Sequence, residues 1–276
     1  MTDTPTSTTI VHVDTPAPGV RLLTLDGPAT RNSIGRVQYE QLRDAIREAA
    51  GDRTVRAVVL RGEGGFFCSG GNVAALRESR RQSSAQVARN TDALAAMILS
   101  IRACPKPVIA AVEGGAAGLG VALALSCDMV VAAAEAAFTV AYVKIGLTPD
   151  GGTLHFLREA LPRQLVSEVC MLGQPISAER LHAAGAINRI APAGGALDAA
   201  MELAAACAVG PAGAIGAIKT QVEEAPRMGL AAQIEIESRG INTARYGAEA
   251  GEGLAAFLEK RRPRFPIVGG TGEDCA

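Results

Sequence analysis

Short apolar runs and amphipathic segments alternate along the first two thirds of the chain. The runs over 20–25, 57–60, 108–112 and 129–132 are apolar over most of their length, which predicts buried strands. Segments 36–49 and 84–102 carry apolar residues at helical spacing, and Ser33 is a candidate N-cap for the first of these helices. Apolar strands separated by helices are typical of an α/β protein whose sheet is covered on both faces.

The last third of the chain has a different pattern. From residue 196 onward the strand signals stop, and the segments near 196–209, 211–223, 231–246 and 249–262 indicate helices. We therefore predict a core over residues 10–195 and a helical C-terminal region over 196–265. Residues 1–9 and 269–276 are small and polar, so we expect flexible tails over 1–9 and 266–276.

Composition and charge narrow the class of protein. The 276 residues carry 27 Lys+Arg against 28 Asp+Glu, a balance that argues against a nucleic-acid partner. The longest uncharged part of the most apolar region has 14 residues, fewer than the roughly 20 that a membrane span requires. The N-terminus lacks the features of a signal peptide and the six cysteines contain no CxxC pair. We expect a cytoplasmic protein with no membrane partner.

The usual glycine-rich nucleotide motifs are not met. No Gly-Lys dipeptide occurs, so the chain has no phosphate-binding P-loop. The dinucleotide pattern GxGxxG is interrupted by Phe67 in one place and by Leu123 in another. Phe67 also stands where the serine-nucleophile pattern GxSxG needs glycine. The three histidines are far apart and lack metal-ligand spacing, so no metal is expected.

Two small-residue loops follow two of the predicted strands. The first is GEGGFFCSGGNV over 62–73, and the second is EGGAAGLG over 113–120. A small-residue turn that leads from a buried strand into a helix exposes backbone N–H groups and lets a ligand approach the backbone. Two such loops can aim two N–H donors at one oxygen, which is an oxyanion hole. The alternative is that these glycines serve only tight turns and close packing.

Through these loops and the stretches around them, the chain resembles the crotonase superfamily, the enoyl-CoA hydratase/isomerase family. The matching stretches are GEGGFFCSGGNV, PKPVIAAVEGGAAGLGVALALSCDMVVAA, AYVKIGLTPDGGT and EGLAAFLEKRRPRF, in the family's order. The resemblance implies a spiral of ββα repeats with a C-terminal helical trimerisation region. It also implies an acyl-CoA thioester substrate, no separate cofactor, and a homotrimer or a dimer of trimers.

The resemblance also assigns residues to a site. It places the two N–H donors at Gly71 and Leu119. Contacts with CoA and the thioester fall on Ala29, Thr30, Arg31, Ser33, Ser69, Gly70, Asn72 and Val73. Phe257 and Lys260 match residues that complete the nucleotide end of the site, often from a neighbouring subunit. A solvated basic helix end is the alternative for the stretch that contains Lys260.

The sequence departs from the hydratase pattern at both catalytic glutamates. Ala122 and Tyr142 stand at those positions, so hydration by the usual pair of carboxylates is in doubt. Tyr142 either donates a hydrogen bond into the pocket or is a half-buried tyrosine with a satisfied hydroxyl. The remaining carboxylate is Asp150, near the match to a catalytic aspartate of several branches, including isomerases. Its alternative role is the N-cap of the helix that follows.

These observations leave several functions open. The first is double-bond isomerisation or hydration of an enoyl-CoA in fatty-acid or aromatic-acid degradation, with Asp150 as proton carrier. AYVKIGLTPDGG also looks like a subgroup of oxepin-CoA hydrolases, which indicates ring hydrolysis as an alternative. A non-catalytic acyl-CoA-binding protein is a further alternative, favoured by the two empty glutamate positions. A purely structural oligomer would leave the CoA-type loops unexplained.

Overall fold

The structure is a computed structural model that describes residues 9–267. Within this range the strands are β1 (Ile10–Ala17), β2 (Val20–Asp26), β3 (Ala57–Gly62), β4 (Val108–Val112), β5 (Gly115–Ala117), β6 (Met129–Ala133), β7 (Ala137–Thr139), β8 (Ile176–Ser177) and β9 (Arg189–Ala191). The helices are α1 (Arg36–Gly51), α2 (Val73–Ser79), α3 (Ser84–Ala103), α4 (Leu119–Leu125), α5 (Thr153–Ala160), α6 (Arg163–Leu172), α7 (Ala178–Ala183), α8 (Ala196–Ala208), α9 (Ala212–Glu224), α10 (Leu230–Arg245) and α11 (Ala248–Leu258). Short 3-10 turns cover Pro28–Thr30, Ala141–Ile145 and Ala225–Arg227.

Two sheets organise the chain. The larger has six strands in the order β1-β2-β3-β4-β6-β9, in which only the β1–β2 pair is antiparallel. The smaller has three strands in the order β5-β7-β8. The predicted α/β class is therefore confirmed, and the four apolar runs of the sequence are β2, β3, β4 and β6.

The chain repeats a ββα pattern as it passes between the sheets. The units β4–β5–α4 and β6–β7–α5 each place one strand in the large sheet, one in the small sheet, and then a helix. Two earlier repeats of the spiral follow the same path, but a single β-bridge replaces their second strand. These bridges pair Ile34 with Gly71 and Cys68 with Ala116. This is the spiral that the sequence predicts. In each repeat the first strand lies in the large sheet. The C-terminal ends of these strands, with the loops that follow them, therefore lie at one edge of that sheet.

Side chains that alternate along the central strands fill two cores. In β3, Val58 and Leu60 join the core under α1, α3 and α4, whereas Val59 joins the core under α8. Helix α8 presents a row of buried alanines to the sheet, at 196, 200, 204 and 208. Small side chains four residues apart let this helix approach the strands closely. The sheet is covered on both faces, which explains why its strands are continuously apolar.

Helices α9, α10 and α11 lie outside this packing and expose much apolar surface. Among residues 9–267, no single helix is long and apolar enough to span a membrane. Two consecutive helical segments, Ala196–Ala208 and Ala212–Arg227, reach that length and apolar content only when taken together, and the chain bends by 113° between them.

Three details of the sequence prediction need correction. The predicted tails lie outside the described residues except at 9, 266 and 267, and Thr9 is buried, with its hydroxyl 2.5 Å from the Ser33 carbonyl. Ser33 is not the N-cap of α1; Gly35 is, and its N–H donates to the side chain of Gln38. Strand β1 was not predicted, because it is an exposed edge strand in which polar and apolar residues are mixed.

Candidate active site

The two glycine-rich loops lie side by side. The Ala117 N–H donates to the Cys68 carbonyl at 2.9 Å, which joins the middle of one loop to the middle of the other. A Cβ atom placed on Gly70 would lie 2.9 Å from the backbone nitrogen of Leu119. A Cβ on Gly120 would collide with the Cys68 carbonyl. The glycines therefore permit a backbone-to-backbone contact that any side chain would prevent.

Each loop ends in a backbone N–H that is free. Leu119 is the first residue of α4, so its N–H has no partner within the helix. Gly71 directly follows Gly70, whose backbone contacts the start of α4. Among the hydrogen bonds within residues 9–267, neither the Gly71 N–H nor the Leu119 N–H has an acceptor. The spiral thus brings two unpaired donors onto adjacent backbone segments.

The side chain of Asn72 caps the helix that follows the first loop. Its side-chain oxygen accepts from the N–H groups of Ala74 and Ala75, at 2.9 and 3.2 Å, and so caps α2. An asparagine at this position stabilises a helix start by satisfying donors that the helix cannot pair itself. Its neighbour Val73 is exposed. Asn72 thereby fixes the direction in which the chain leaves Gly71.

The segment that contains the other predicted CoA contacts lies against the first loop. The Ile34 N–H donates to the Gly70 carbonyl at 2.9 Å, and the Ser69 hydroxyl donates to the Thr30 carbonyl at 2.8 Å. Ala29 and Arg31 are exposed beside this contact. Ser33 is buried, and its carbonyl is occupied by the Thr9 hydroxyl. The structure thus brings residues 29–33 and 69–73 together, with Ser33 and the Ser69 hydroxyl turned toward the protein.

Asn32, which the sequence analysis did not select, holds this arrangement in place. It is fully buried and has a left-handed backbone conformation, with φ of 56°. Its amide nitrogen donates to the carbonyls of Glu63 and Phe66 at 2.8 and 2.6 Å. Its side-chain oxygen accepts from the Gly27 N–H at 2.8 Å. The available signal was weak: asparagine tolerates a positive φ, but its partners are distant in the sequence.

Phe257 and Lys260 lie elsewhere in the chain. They are at the end of α11, which packs against α10 and reaches α9 through Glu249. Phe257 is 81% exposed. No hydrogen bond or ion pair within residues 9–267 joins α11 to either glycine-rich loop.

Asp150 lies next to the start of α4. A Cβ atom placed on the following residue, Gly151, would be 2.6 Å from the Leu119 side chain and 3.4 Å from that of Ala122. The Tyr142 hydroxyl donates to Oδ1 of Asp150 at 2.6 Å. The carboxylate, the tyrosine and the N–H of Leu119 thus belong to one site, and Ala122 faces the same place with an apolar methyl group.

The side chain of Asp150 does not cap α5, so that alternative is wrong. The N-cap of α5 is Gly152, and it is the main-chain carbonyl of Asp150 that accepts from the N–H and hydroxyl of Thr153, at 3.1 and 2.7 Å. Burial, and then the negative charge of Asp150, raise the pKa of Tyr142 above its ordinary range. Tyr142 is therefore a neutral hydrogen-bond donor at physiological pH.

Two other groups near the carboxylate are also neutral. Burial, followed by the charges of Asp150 and Cys68, raises the pKa of Tyr39 above its ordinary range. Burial raises the pKa of the Cys68 thiol to about 12, which leaves it protonated and unreactive. Within the described residues, no group of three or more metal-ligating side chains could hold a metal ion. The chemical groups available are two N–H donors and one carboxylate.

Known proteins share this sequence and this fold. The family model described as enoyl-CoA hydratase/isomerase matches residues 16–266. A 1,2-epoxyphenylacetyl-CoA isomerase of Escherichia coli K12 is 33% identical, covering 90% of this chain and 95% of its own. A 2,3-dehydroadipyl-CoA hydratase of the same organism is 30% identical, covering 89% and 94%. The crystal structure of an enoyl-CoA hydratase from Polaromonas sp. JS666 superposes with a TM-score of 0.90, at 41% identity, and covers 93% and 99%.

Proposed function

The chain belongs to the enoyl-CoA hydratase/isomerase family, and we propose that it moves the double bond of an enoyl-CoA thioester from C3 to C2. The family and the crotonase-like ββα spiral that the sequence predicts are both confirmed. The observation that carries the choice of reaction is the content of the site: one carboxylate, Asp150, and no second one at position 122 or 142.

In the proposed mechanism the thioester oxygen binds the N–H groups of Gly71 and Leu119. Negative charge develops on this oxygen when a proton leaves C2, so two fixed donors lower the barrier to that step. A water-poor pocket strengthens both hydrogen bonds. The free donors on adjacent loops support this role, because neither has an acceptor among the described residues.

Asp150 then acts as base and acid in turn. One carboxylate oxygen takes the proton from C2, and the electrons of the broken C–H bond move onto the thioester as a dienolate. The same proton returns from the carboxyl group to C4, and the new double bond forms between C2 and C3. No atom is gained or lost, so a single carboxylate is enough. We include no metal or redox cofactor in this reaction.

Hydration makes a different demand on the site. Water must be deprotonated as it attacks C3 while a second group protonates C2, which the family's hydratases achieve with two glutamates. Here the methyl group of Ala122 cannot transfer a proton, and the hydroxyl of Tyr142 donates its hydrogen bond to Asp150. The remaining carboxylate serves isomerisation better than hydration.

A second candidate is the isomerisation of a ring epoxide carried on a CoA thioester. It is favoured by the similarity to the epoxyphenylacetyl-CoA isomerase, which extends over nearly the full length of both chains. This reaction also conserves mass and also starts from a thioester enolate, so the same donors and carboxylate would serve it.

We further propose that three copies assemble through the C-terminal helices. Apolar side chains that are more than half exposed are concentrated on α9, α10 and α11: Ile218, Val222, Leu230, Ile234, Ile241, Leu254, Phe257 and Leu258. So much exposed apolar surface is typical of an interface. In the assembly, Phe257 and Lys260 of one copy would complete the nucleotide end of a neighbour's site.

The test of the reaction is product analysis with a panel of 3-enoyl-CoA, 2-enoyl-CoA and aryl-epoxide CoA thioesters. We expect the absorbance of a conjugated 2-enoyl thioester to appear at unchanged mass. Replacing the carboxylate in Asp150→Asn should lower kcat by roughly 10²–10⁴-fold while KM changes little. A product that has gained one water would contradict isomerisation, and full activity of Asp150→Asn would remove this residue from the mechanism.

A further inference from the structure

Asp150 is bound on one side only. Its Oδ1 atom accepts the Tyr142 hydroxyl at 2.6 Å, whereas no hydrogen bond from residues 9–267 reaches Oδ2. No ion pair within the same range involves this carboxylate. A short hydrogen bond to a carboxylate is among the stronger ones that a neutral donor makes.

We propose that Tyr142 is the positioning residue of the reaction: its hydroxyl holds Oδ1 of Asp150 and leaves Oδ2 as the single proton-carrying atom. This inference rests on the proposed function and adds to it the group that prepares the base. The position that holds a glutamate in the family's hydratases then contributes a hydrogen bond to the base in place of a second acid.

The backbone around Tyr142 suits this role. The residue lies in the 3-10 turn Ala141–Ile145, and its ring packs against the main core. The N–H of Leu147 donates to the Tyr142 carbonyl at 3.0 Å, and the Tyr142 hydroxyl donates to Asp150. The backbone and the side chain of this one residue therefore both hold the loop from 142 to 150. A hydroxyl held by its ring and its backbone fixes the carboxylate with little further loss of side-chain freedom.

The other groups around Asp150 do not replace Tyr142. Tyr39 approaches from α1, but its hydroxyl donates to the Ile34 carbonyl at 3.5 Å. Cys68 is a neutral thiol, and Thr153 donates to the main-chain carbonyl of Asp150 rather than to its side chain. Among the described residues, Tyr142 is therefore the one donor to the carboxylate. Removing its hydroxyl leaves the carboxylate without a donor among these residues.

The experiment compares Tyr142→Phe with Tyr39→Phe, a matched variant that also loses one tyrosine hydroxyl but not one bonded to Asp150. We measure kcat and KM with a 3-enoyl-CoA, and confirm folding by thermal unfolding. For Tyr142→Phe we expect kcat to fall about 10- to 100-fold, the size of a charge-assisted hydrogen bond, with KM within about twofold. Tyr39→Phe should keep the wild-type kcat and KM.

Two results would overturn the inference while the proposed function stands. One is a folded Tyr142→Phe with the kcat of an active wild type. The other is the same fall in kcat in Tyr39→Phe, which would make it a general effect of losing a tyrosine hydroxyl. Failure of the proposed function is seen separately, because it shows in the wild type as an absence of isomerised product.

Discussion

The contact between the two loops gives a prediction that depends on one methyl group. In Gly70→Ala, the new Cβ atom would lie 2.7 Å from the Ala117 carbonyl oxygen and 2.9 Å from the nitrogen of Leu119. Both neighbours are backbone atoms, so no side chain can rotate away to relieve the contact. The backbone at Gly70 also has a φ of +90°, which L-residues rarely adopt.

The structure sets the size of the effect. Separation to an ordinary contact distance requires the two backbones to move apart by roughly half an ångström or more. The positive φ costs about 1–2 kcal/mol and overpacking about 1–3 kcal/mol, so the free energy of unfolding should fall by about 2–5 kcal/mol. A shift of this size takes a donor out of the 2.7–3.1 Å range from the oxyanion that catalysis needs, and kcat should fall about 10- to 100-fold.

Gly65→Ala is the matched control, because it lies in the same loop. Gly65 also has a positive φ, +76°, but a Cβ atom there would meet nothing within 4 Å. This variant should lose about 1–2 kcal/mol of stability and keep the wild-type kcat. The assays are urea unfolding and the rate of conjugated thioester formation from a 3-enoyl-CoA. If folded Gly70→Ala is as active as Gly65→Ala, the loop contact does not position the donor and the reasoning is refuted.

Two further predictions concern stability and assembly. Asn32→Ala leaves the Gly27 N–H and two carbonyls without partners, so urea unfolding should show a loss of about 3 kcal/mol or more; a loss below about 1 kcal/mol would mean that water replaces these bonds. The exposed apolar face of α9–α11 predicts a trimer or a dimer of trimers by light scattering at micromolar concentration, and a monomer would contradict the proposed assembly.

The sequence predicts those parts of the fold whose signal is local. Strands β3 and β4 are buried on both faces, so their apolar runs are continuous and easily recognised. Strands β5 and β7 have three residues each, too few for an alternating pattern, and β5 contains only glycine and alanine. They form because the spiral places them beside each other, and a pattern of single residues does not contain that information.

The same distinction applies to the site. Glycines that approach another backbone, such as Gly70 and Gly120, are visible in the sequence, so the two loops could be predicted, and the resemblance then assigned the donors to Gly71 and Leu119. Asn32 could not, because its partners are carbonyls more than thirty residues away. The bond between Tyr142 and Asp150 depends on how the loop from 142 to 150 folds back on itself, which no periodicity describes. The sequence offered helix capping as the alternative role of Asp150, and the folded loop gives its side chain a different partner.

The central claim is that one carboxylate carries one proton from C2 to C4. The most direct measurement follows deuterium in a 3-enoyl-CoA labelled at C2, with the product analysed by mass spectrometry and NMR. The account predicts a 2-enoyl-CoA with deuterium at C4, formed by the wild type and not by Asp150→Asn. A product that has gained water, or equal transfer of deuterium by Asp150→Asn, would contradict it.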